Sequence, residues 1–379
     1  MSRTSLVILL AVGALTALVA YRQLPDQGWP PRPRGFPRFA VPADNPVTRE
    51  AAALGRALFH DRRLAFNGAI ACADCHQQRH GFADPRPLSL GATGETTRRN
   101  AMSLTNVAYN GRLTWADDRL ATLEAQALVP LALQHPLEMG FARDPSGILA
   151  RLRDDQRLRR QFEAAFPADT DPVTLPNIAR ALASFERLLT SGDSAYDRFL
   201  AGDREALSPS AQRGLALFRT KRLNCLACHD GFNFRLTPGH RRDENDRTVA
   251  YHNTGLYNLD GKGAYPPADR GLMEVTGKPS DMGRFKAPTL RNIAVTAPYM
   301  HDGSIATLDA VLDHYARGGR LIDDGALAGD GSRSPLKSAL VTGFTLSAAE
   351  KRDIIAFLES LTDQAFLTNP DFGPPSAAQ

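Results

Sequence analysis

The 379-residue chain is 43% hydrophobic, enough for two or three domains that each bury a core of their own. Its 45 basic and 41 acidic side chains are interleaved and leave a net charge of only +4, which excludes a basic face for nucleic acid. The densest basic stretch, Arg151–Arg160, contains two aspartates and reads as the solvated side of an amphipathic helix.

In chain order, Arg3 precedes a 15-residue apolar run from Leu6 to Ala20. That length matches the core of a signal peptide and is short for a membrane span. Leu18, not a small residue, stands two positions before a cut after Ala20. Residues 1–22 therefore read as a signal peptide or a membrane anchor, and the body of the protein is expected in the periplasm. Residues 23–46 hold seven prolines around Trp29 and form an extended, PPII-like strap.

Helical spacing begins near residue 47. Leu54-Gly-Arg-Ala-Leu-Phe59 leads into the pentapeptide Cys72-Ala-Asp-Cys75-His76, and Arg213-Gly-Leu-Ala-Leu-Phe218 leads into Cys225-Leu-Ala-Cys228-His229. This weak duplication predicts two similar lobes, residues 47–200 and 201–365, followed by a tail over 366–379. Between the pentapeptides, Leu120–Leu133, Ile148–Phe166 and Leu175–Leu189 carry helical periodicity. Residues 230–285 are rich in Gly, Pro, Asn and Asp and read as a long ordered loop, a kind of segment that is usually functional. Helix resumes over Thr307–Ala316, and Ser347-Ala-Ala-Glu350 is a capping box for Ile354–Leu361.

Cys-x-x-Cys-His is the attachment signature of c-type haem. Its two thiols add to the porphyrin vinyl groups, and its histidine ligates the iron. A lone copy is also compatible with a redox dithiol or half of a zinc site. Two copies that use all four cysteines, behind an export leader, favour haem. The expected fold class is mostly α, with two cytochrome c-like haem lobes and long ordered loops, and the expected cofactors are two covalently bound haem c. With His76 and His229 as proximal ligands, function depends on the sixth iron position. Spacing alone leaves His60, His80, His135, His240, His252, His301, His314, Met102, Met139, Met273, Met282 and Met300 open for it.

The stretch Gly283-Arg-Phe-Lys-Ala-Pro-Thr-Leu-Arg-Asn-Ile-Ala-Val-Thr-Ala-Pro-Tyr-Met-His-Asp-Gly-Ser304 resembles the signature of the bacterial di-haem cytochrome c peroxidase/MauG family. Arg99-Asn100, Asn106-Val107, Trp115, Glu124-Ala-Gln-Ala-Leu-Val-Pro130 and Glu138-Met139-Gly140 fall in the order of that family's active-site segment. The resemblance spans about residues 45–365. Asn253-Thr-Gly-Leu-Tyr-Asn258, Gly263-Ala-Tyr-Pro266 and His314-Tyr-Ala-Arg-Gly-Gly319 are similar to the MauG-like branch, in particular to its methanobactin-cluster di-haem enzymes.

The resemblance implies a first haem on Cys72, Cys75 and His76 with an open face lined by Gln126, Pro130 and Glu138. Glu138 would move a proton between peroxide oxygens, a role that suits a partly buried carboxyl. It implies a second haem on Cys225, Cys228 and His229, closed by Tyr315 where the peroxidases use Met, with His301 as a supporting contact. Trp115 would relay electrons between the haems. Asn100, Thr296 and Pro298 would hold a calcium ion, the latter two through backbone carbonyls.

Three departures accompany the match. Leu88–Thr97 contains no histidine, which fits a permanently open first haem. The family's Trp-Asp-Gly-Arg is Trp115-Ala-Asp-Asp-Arg119 here, and Leu223 replaces the tryptophan that MauG-type enzymes place before the second haem motif. The function expected by resemblance is oxidation of a periplasmic partner protein, at a side chain such as tryptophan, driven by hydrogen peroxide. One alternative is a peroxide-scavenging cytochrome c peroxidase fed by a cytochrome or cupredoxin, with Met273, Met282 or Met300 on the second haem. Another is a non-catalytic di-haem electron carrier. No nucleic acid is expected as a partner, and membrane contact only through the leader.

Overall fold

The computed structural model describes residues 29–134, 136–235 and 251–376. The expected leader over residues 1–22, the start of the strap, His135 and His240 lie outside them. Residues from Pro33 onward form one compact unit. Its helices are α1 (Arg49–Phe59), α2 (Cys72–Cys75), α3 (Leu123–Ala132), α4 (Pro145–Asp154), α5 (Gln156–Ala165), α6 (Leu175–Glu186), α7 (Ala195–Leu200), α8 (Pro209–Phe218), α9 (Met273–Thr276), α10 (Leu308–Arg317), α11 (Ala348–Glu359) and α12 (Gln364–Thr368). Two short antiparallel ladders accompany them, β1 (Tyr251–His252) with β2 (Phe285–Lys286) and β3 (Leu321–Ile322) with β4 (Gly329–Asp330). Among the described residues no helix is long and apolar enough to cross a membrane.

Side-chain caps set most helix starts. Thr48, Thr122, Thr174, Ser208, Thr307 and Ser347 each accept a backbone N–H of the first turn, and Ser347 and Glu350 form a reciprocal capping box. The helix expected over Ile148–Phe166 is instead two helices. Asp155 turns its carboxylate onto the N–H groups of Arg157 and Leu158, and this local cap starts a new helix inside an unbroken apolar period.

The apolar core lies in two main clusters built on one plan. In the first, α1 crosses α6 at Gly55, where a Cβ would fall 1.9 Å from the Ala181 carbonyl oxygen. In the second, α8 crosses α11 at Gly214, where a Cβ would fall 1.9 Å from the Asp353 carbonyl oxygen. Phe59 meets Phe185 at 5.2 Å beside the first crossing, and Phe218 meets Phe357 at 5.2 Å beside the second. Asn106 and Asn292 both adopt left-handed backbone and start a 3₁₀ turn, and their N–H groups donate to Leu189 and Leu361. Only glycine permits so close a helix approach. Gly214→Ala is therefore expected to lower stability by about 1–3 kcal/mol through overpacking, read as a fall in the thermal midpoint of the haem-loaded protein.

The two clusters are joined. Ser191 Oγ donates to Asp363 at 3.1 Å, and Asn292 Nδ2 donates to Ser191 Oγ at 3.1 Å, all buried. Beyond Asp363 the chain returns to the first cluster, where Phe366 and Phe372 pack on Phe82. The strap is held from its second half. Phe36 lies under the Arg291 guanidinium at 4.7 Å, and Asn45 donates to Glu124 and to the Arg180 carbonyl. A third apolar cluster, with Ala116, Leu256, Tyr257, Tyr265 and Phe285 at its centre and Trp115 against it, adjoins the second through Ile293 and Leu308.

Candidate functional site: two cavities with a shared wall

Each pentapeptide forms one short helical turn, closed by a bond from the histidine N–H to the first cysteine's carbonyl at 2.9 Å. The imidazoles are then aimed by identical means. His76 Nδ1–H donates to the Phe82 carbonyl at 2.9 Å, and His229 Nδ1–H to the Phe234 carbonyl at 3.1 Å. Both phenylalanines hold left-handed backbone, at φ 59° and 47°. Such a conformation costs on the order of 1–3 kcal/mol in a bulky residue and is kept where the surroundings demand it. Here it turns a carbonyl onto each histidine. With Nδ1 as the donor, Nε2 is the free lone pair, the arrangement of a metal-ligating imidazole.

The first cavity is lined by Cys72, Cys75 and His76 together with Gln126, Pro130, Glu138 and Trp115. The second is lined by Cys225, Cys228 and His229 with Tyr315, His301 and again Trp115. No disulfide joins the four cysteines, and burial pushes Cys72 and Cys225 up to about 12 and Cys75 and Cys228 up to about 11. A redox dithiol needs the opposite shift. Among the described residues no group of three His, Cys, Asp or Glu side chains is placed to hold a metal ion, so the zinc reading has no donor set there.

Glu138 in the first cavity wall has no hydrogen-bond partner for its carboxyl among the described residues, and burial pushes that carboxyl up to about 7. Pro130 occupies the last turn of α3, and its carbonyl accepts the Met139 N–H at 3.0 Å, which ties Glu138's segment to that helix. In the second cavity Tyr315 Oη has no hydrogen-bond partner among the described residues. His301 stacks on Phe285 at 3.6 Å, and its carbonyl accepts the Asn100 N–H at 2.7 Å. Of the thioethers considered for the second haem, Met300 lines this cavity and Met273 and Met282 do not. His252 lines it as well.

Trp115 and Lys286 line both cavities. The Trp115 indole N–H donates to the Asn100 carbonyl at 2.8 Å, and its own carbonyl accepts the Lys286 N–H at 2.7 Å. Asn100 spends its side-chain N–H₂ on the carbonyls of Asp84 and Arg86, which leaves its amide oxygen without a partner among the described residues. Thr296 instead folds its hydroxyl onto Ile293, and among the described residues no hydrogen bond joins Asn100 to Thr296 or Pro298.

Three further buried charged residues stand in or beside the cavity walls: Lys286 lines both and Glu186 the first, and Arg235 lies behind them against Ala287 and Asn110. Lys286 and Arg235 are 2% and 3% exposed. Among the described residues, Lys286 Nζ donates only to the carbonyls of Arg112 and Leu113, and Arg235 only to Asn110 and to backbone carbonyls. Burial drives Arg235 down to about 10 and Lys286 well below its ordinary value, with Arg235 repelling the lysine as well. Two buried cations with no carboxylate partner among the described residues are costly unless another anion meets them. A haem brings two carboxylate side chains, so this orphaned pair fits that cofactor. Glu186 is the third. Its Oε2 is buried without a partner at the first cavity, and burial pushes the carboxyl up to about 8, against a nearby Arg187 and with the help of Glu124. Spacing marks it: Ile178, Leu182 and Glu186 form one i, i+4 stripe on the apolar face of α6. The unfolded chain releases this proton near 4.5 and the folded chain near 8, so stability falls as pH rises across that window. Glu186→Gln is expected to remove that slope and to stabilise the protein at pH 8 by on the order of a few kcal/mol, with little change near pH 4, in denaturant unfolding of the haem-loaded protein.

Comparison with known proteins agrees with this geometry. A family model for di-haem cytochrome c peroxidase matches residues 49–205, and a RoxA-like, cytochrome c-like model matches residues 284–320. The chain is 36% identical over 355 residues to the methylamine utilization protein MauG of Methylophilus methylotrophus, covering 92% of this chain and 94% of that protein. It is 34% identical over 342 residues to the cytochrome-c peroxidase IdrP1 of Denitromonas iodatirespirans, covering 86% and 85%. Among solved structures, a MauG-like protein associated with microbial copper homeostasis superposes with a TM-score of 0.87 at 45% identity, over 91% of this chain and 98% of that one. Two cytochrome c-like haem sites on one helical plan, with a shared tryptophan wall, therefore make this chain a member of the di-haem cytochrome c peroxidase/MauG family and an oxidoreductase that carries two haem c.

Proposed function

We propose that the protein uses hydrogen peroxide to oxidise a periplasmic partner protein at a side chain, with tryptophan the expected target, as a MauG-type enzyme of the methanobactin-cluster kind. The single observation that carries the peroxide chemistry is Glu138, a carboxyl in the wall of the first cavity that has no partner among the described residues and whose proton affinity burial sets near neutrality. Haem bound at each pentapeptide supplies the iron at which peroxide is reduced and the capacity to hold oxidising equivalents. The chain's own residues do the rest. Glu138 accepts a proton from the bound peroxide and returns one to the departing oxygen, which is efficient when its affinity is close to the working pH. Gln126 offers an amide to orient the peroxide, and Pro130 excludes competing hydrogen bonds from that wall. Trp115, in contact with both cavities, carries electrons from the second to the first. Tyr315 is the residue that would hold the second haem's iron through its phenol oxygen, and as a phenolate it would favour storage of oxidising equivalents, while His301 and Phe285 brace that side.

Residues 47–200 and 201–365 serve as the peroxidatic and electron-transfer lobes in this reading, and Asn100, Thr296 and Pro298 share a calcium ion between them. The 45% identity to a MauG-like protein of copper homeostasis supports the branch assignment. Met300 supports a second reading, a cytochrome c peroxidase supplied by a small cytochrome or cupredoxin, because its thioether lines the same cavity as Tyr315. Electron paramagnetic resonance of the ferric protein separates the two. One high-spin and one low-spin haem, the latter with a tyrosinate rather than a thioether signature, is the expected result. Two low-spin haems would sink the peroxide reading, and a thioether signature would leave only the peroxidase.

A further inference from the structure

Leu223 fills the wall of the second cavity just before Cys225, and an aliphatic side chain cannot pass on charge by being oxidised in turn. The aromatic residues lead out elsewhere. Tyr265 lines the second cavity and meets Tyr257 edge-on at 5.4 Å between ring centroids. Both belong to the third apolar cluster, against which Trp115 also packs. Tyr265 is immobilised: Gly283, at φ +69°, lies so close that a Cβ there would come within 2.1 Å of its ring.

The two phenols differ in what accepts their protons. Tyr265 Oη donates to the neutral amide oxygen of Asn253 at 3.0 Å. Tyr257 Oη donates to the Asp302 carboxylate at 2.6 Å. Tyr257 is 4% exposed, whereas Asp302 reaches solvent. A phenol that loses an electron becomes strongly acidic, so it is oxidised at moderate potential only where its proton has somewhere to go. A short charge-assisted O–H···O⁻ bond provides that place. An amide oxygen does not, so Tyr265 passes charge and Tyr257 can keep it.

We propose that Tyr257 is a redox-active tyrosine, the point near the surface at which oxidising equivalents leave the second cavity, with Tyr265 as the step between and Asp302 as proton acceptor. The inference rests on the peroxide-dependent reading above. Tyr257 gives one electron through Tyr265 to the peroxide-oxidised haem of the second cavity, which is reduced by one electron. The phenolic proton passes to Asp302, leaving a neutral phenoxyl beside a neutral carboxylic acid. An electron from a partner's aromatic side chain then restores the phenol, and the proton returns from Asp302. The partner surface that fits is one presenting an indole or phenol over Asp302.

Freeze-quench electron paramagnetic resonance of the haem-loaded protein tests this. One equivalent of hydrogen peroxide is added without any partner, and haem absorbance is followed on the same samples. A narrow radical signal with tyrosyl hyperfine structure is expected in the wild type. In Tyr257→Phe, which removes a single oxygen and keeps the ring, the signal should be lost while the haems are still oxidised. In Asp302→Asn the ring remains but the radical yield should fall. A tyrosyl signal that survives in Tyr257→Phe, or oxidised haems with no protein radical in the wild type, overturns the relay. An Asp302→Asn yield equal to wild type overturns the proton-acceptor role. Wild-type haems that do not respond to peroxide would remove the underlying reading, and the relay with it.

Discussion

Glu138→Gln is expected to slow the reaction of the haem-loaded protein with hydrogen peroxide by about 10²–10⁴-fold, the usual contribution of a positioned acid–base group. The substitution keeps the shape of the side chain and its place in the wall, so haem content and ferric spectra should not change. The pH profile gives a second signature. Burial holds the Glu138 carboxyl at about 7, and the proton-accepting form is the carboxylate. The wild-type rate should therefore rise with pH through about 7 and level off above it, and the Gln variant should show no such limb. Stopped-flow absorbance across pH 5–9 measures both. A variant within a few-fold of wild type would mean that another group, with Glu186 the foremost, moves the proton.

Tyr315→Phe is the second large effect. The side chain sits on α10 and lines the second cavity together with Leu312, Cys225 and Cys228, and Oη has no partner among the described residues to compete for it. Removing that one oxygen leaves the ring to fill its space, so the thermal midpoint should move little. The second haem should lose its sixth ligand and turn high-spin, and the long-lived state formed with peroxide should disappear. Absorbance and electron paramagnetic resonance at low temperature read both changes. If the second haem stays low-spin in this variant, Met300 or His252 is its ligand, since both line the same cavity.

Much of the frame was legible in the residue order, and its limits are instructive. The Leu54–Phe59 and Arg213–Phe218 repeats exposed the duplication because each is a contiguous helical segment. The matching pairs Phe185 and Phe357, and Asn106 and Asn292, stayed hidden although they are as equivalent in space. Their offsets along the chain range up to 186 residues, against 153 for the first cysteines, because loops of unequal length separate them. A fixed period cannot survive such insertions, whereas a packed core can. The break at Asp155 was missed for a local reason, since a cap competes with helix continuation without disturbing the apolar period.

Haem attachment, the helical character of both lobes and the family are properties of the sequence itself, because adjacent residues carry them: two thiols and an imidazole within five positions, or apolar side chains every third or fourth. The division of labour between the cavities is not. That Trp115 and Lys286 form a wall common to both, that Lys286 and Arg235 have no carboxylate partner among the described residues, and that Tyr257 rests against Asp302 are outcomes of packing. Each joins segments from 45 to more than 150 residues apart in the chain, and which of them meet is decided by how helices close over a shared core rather than by any pattern along the strand.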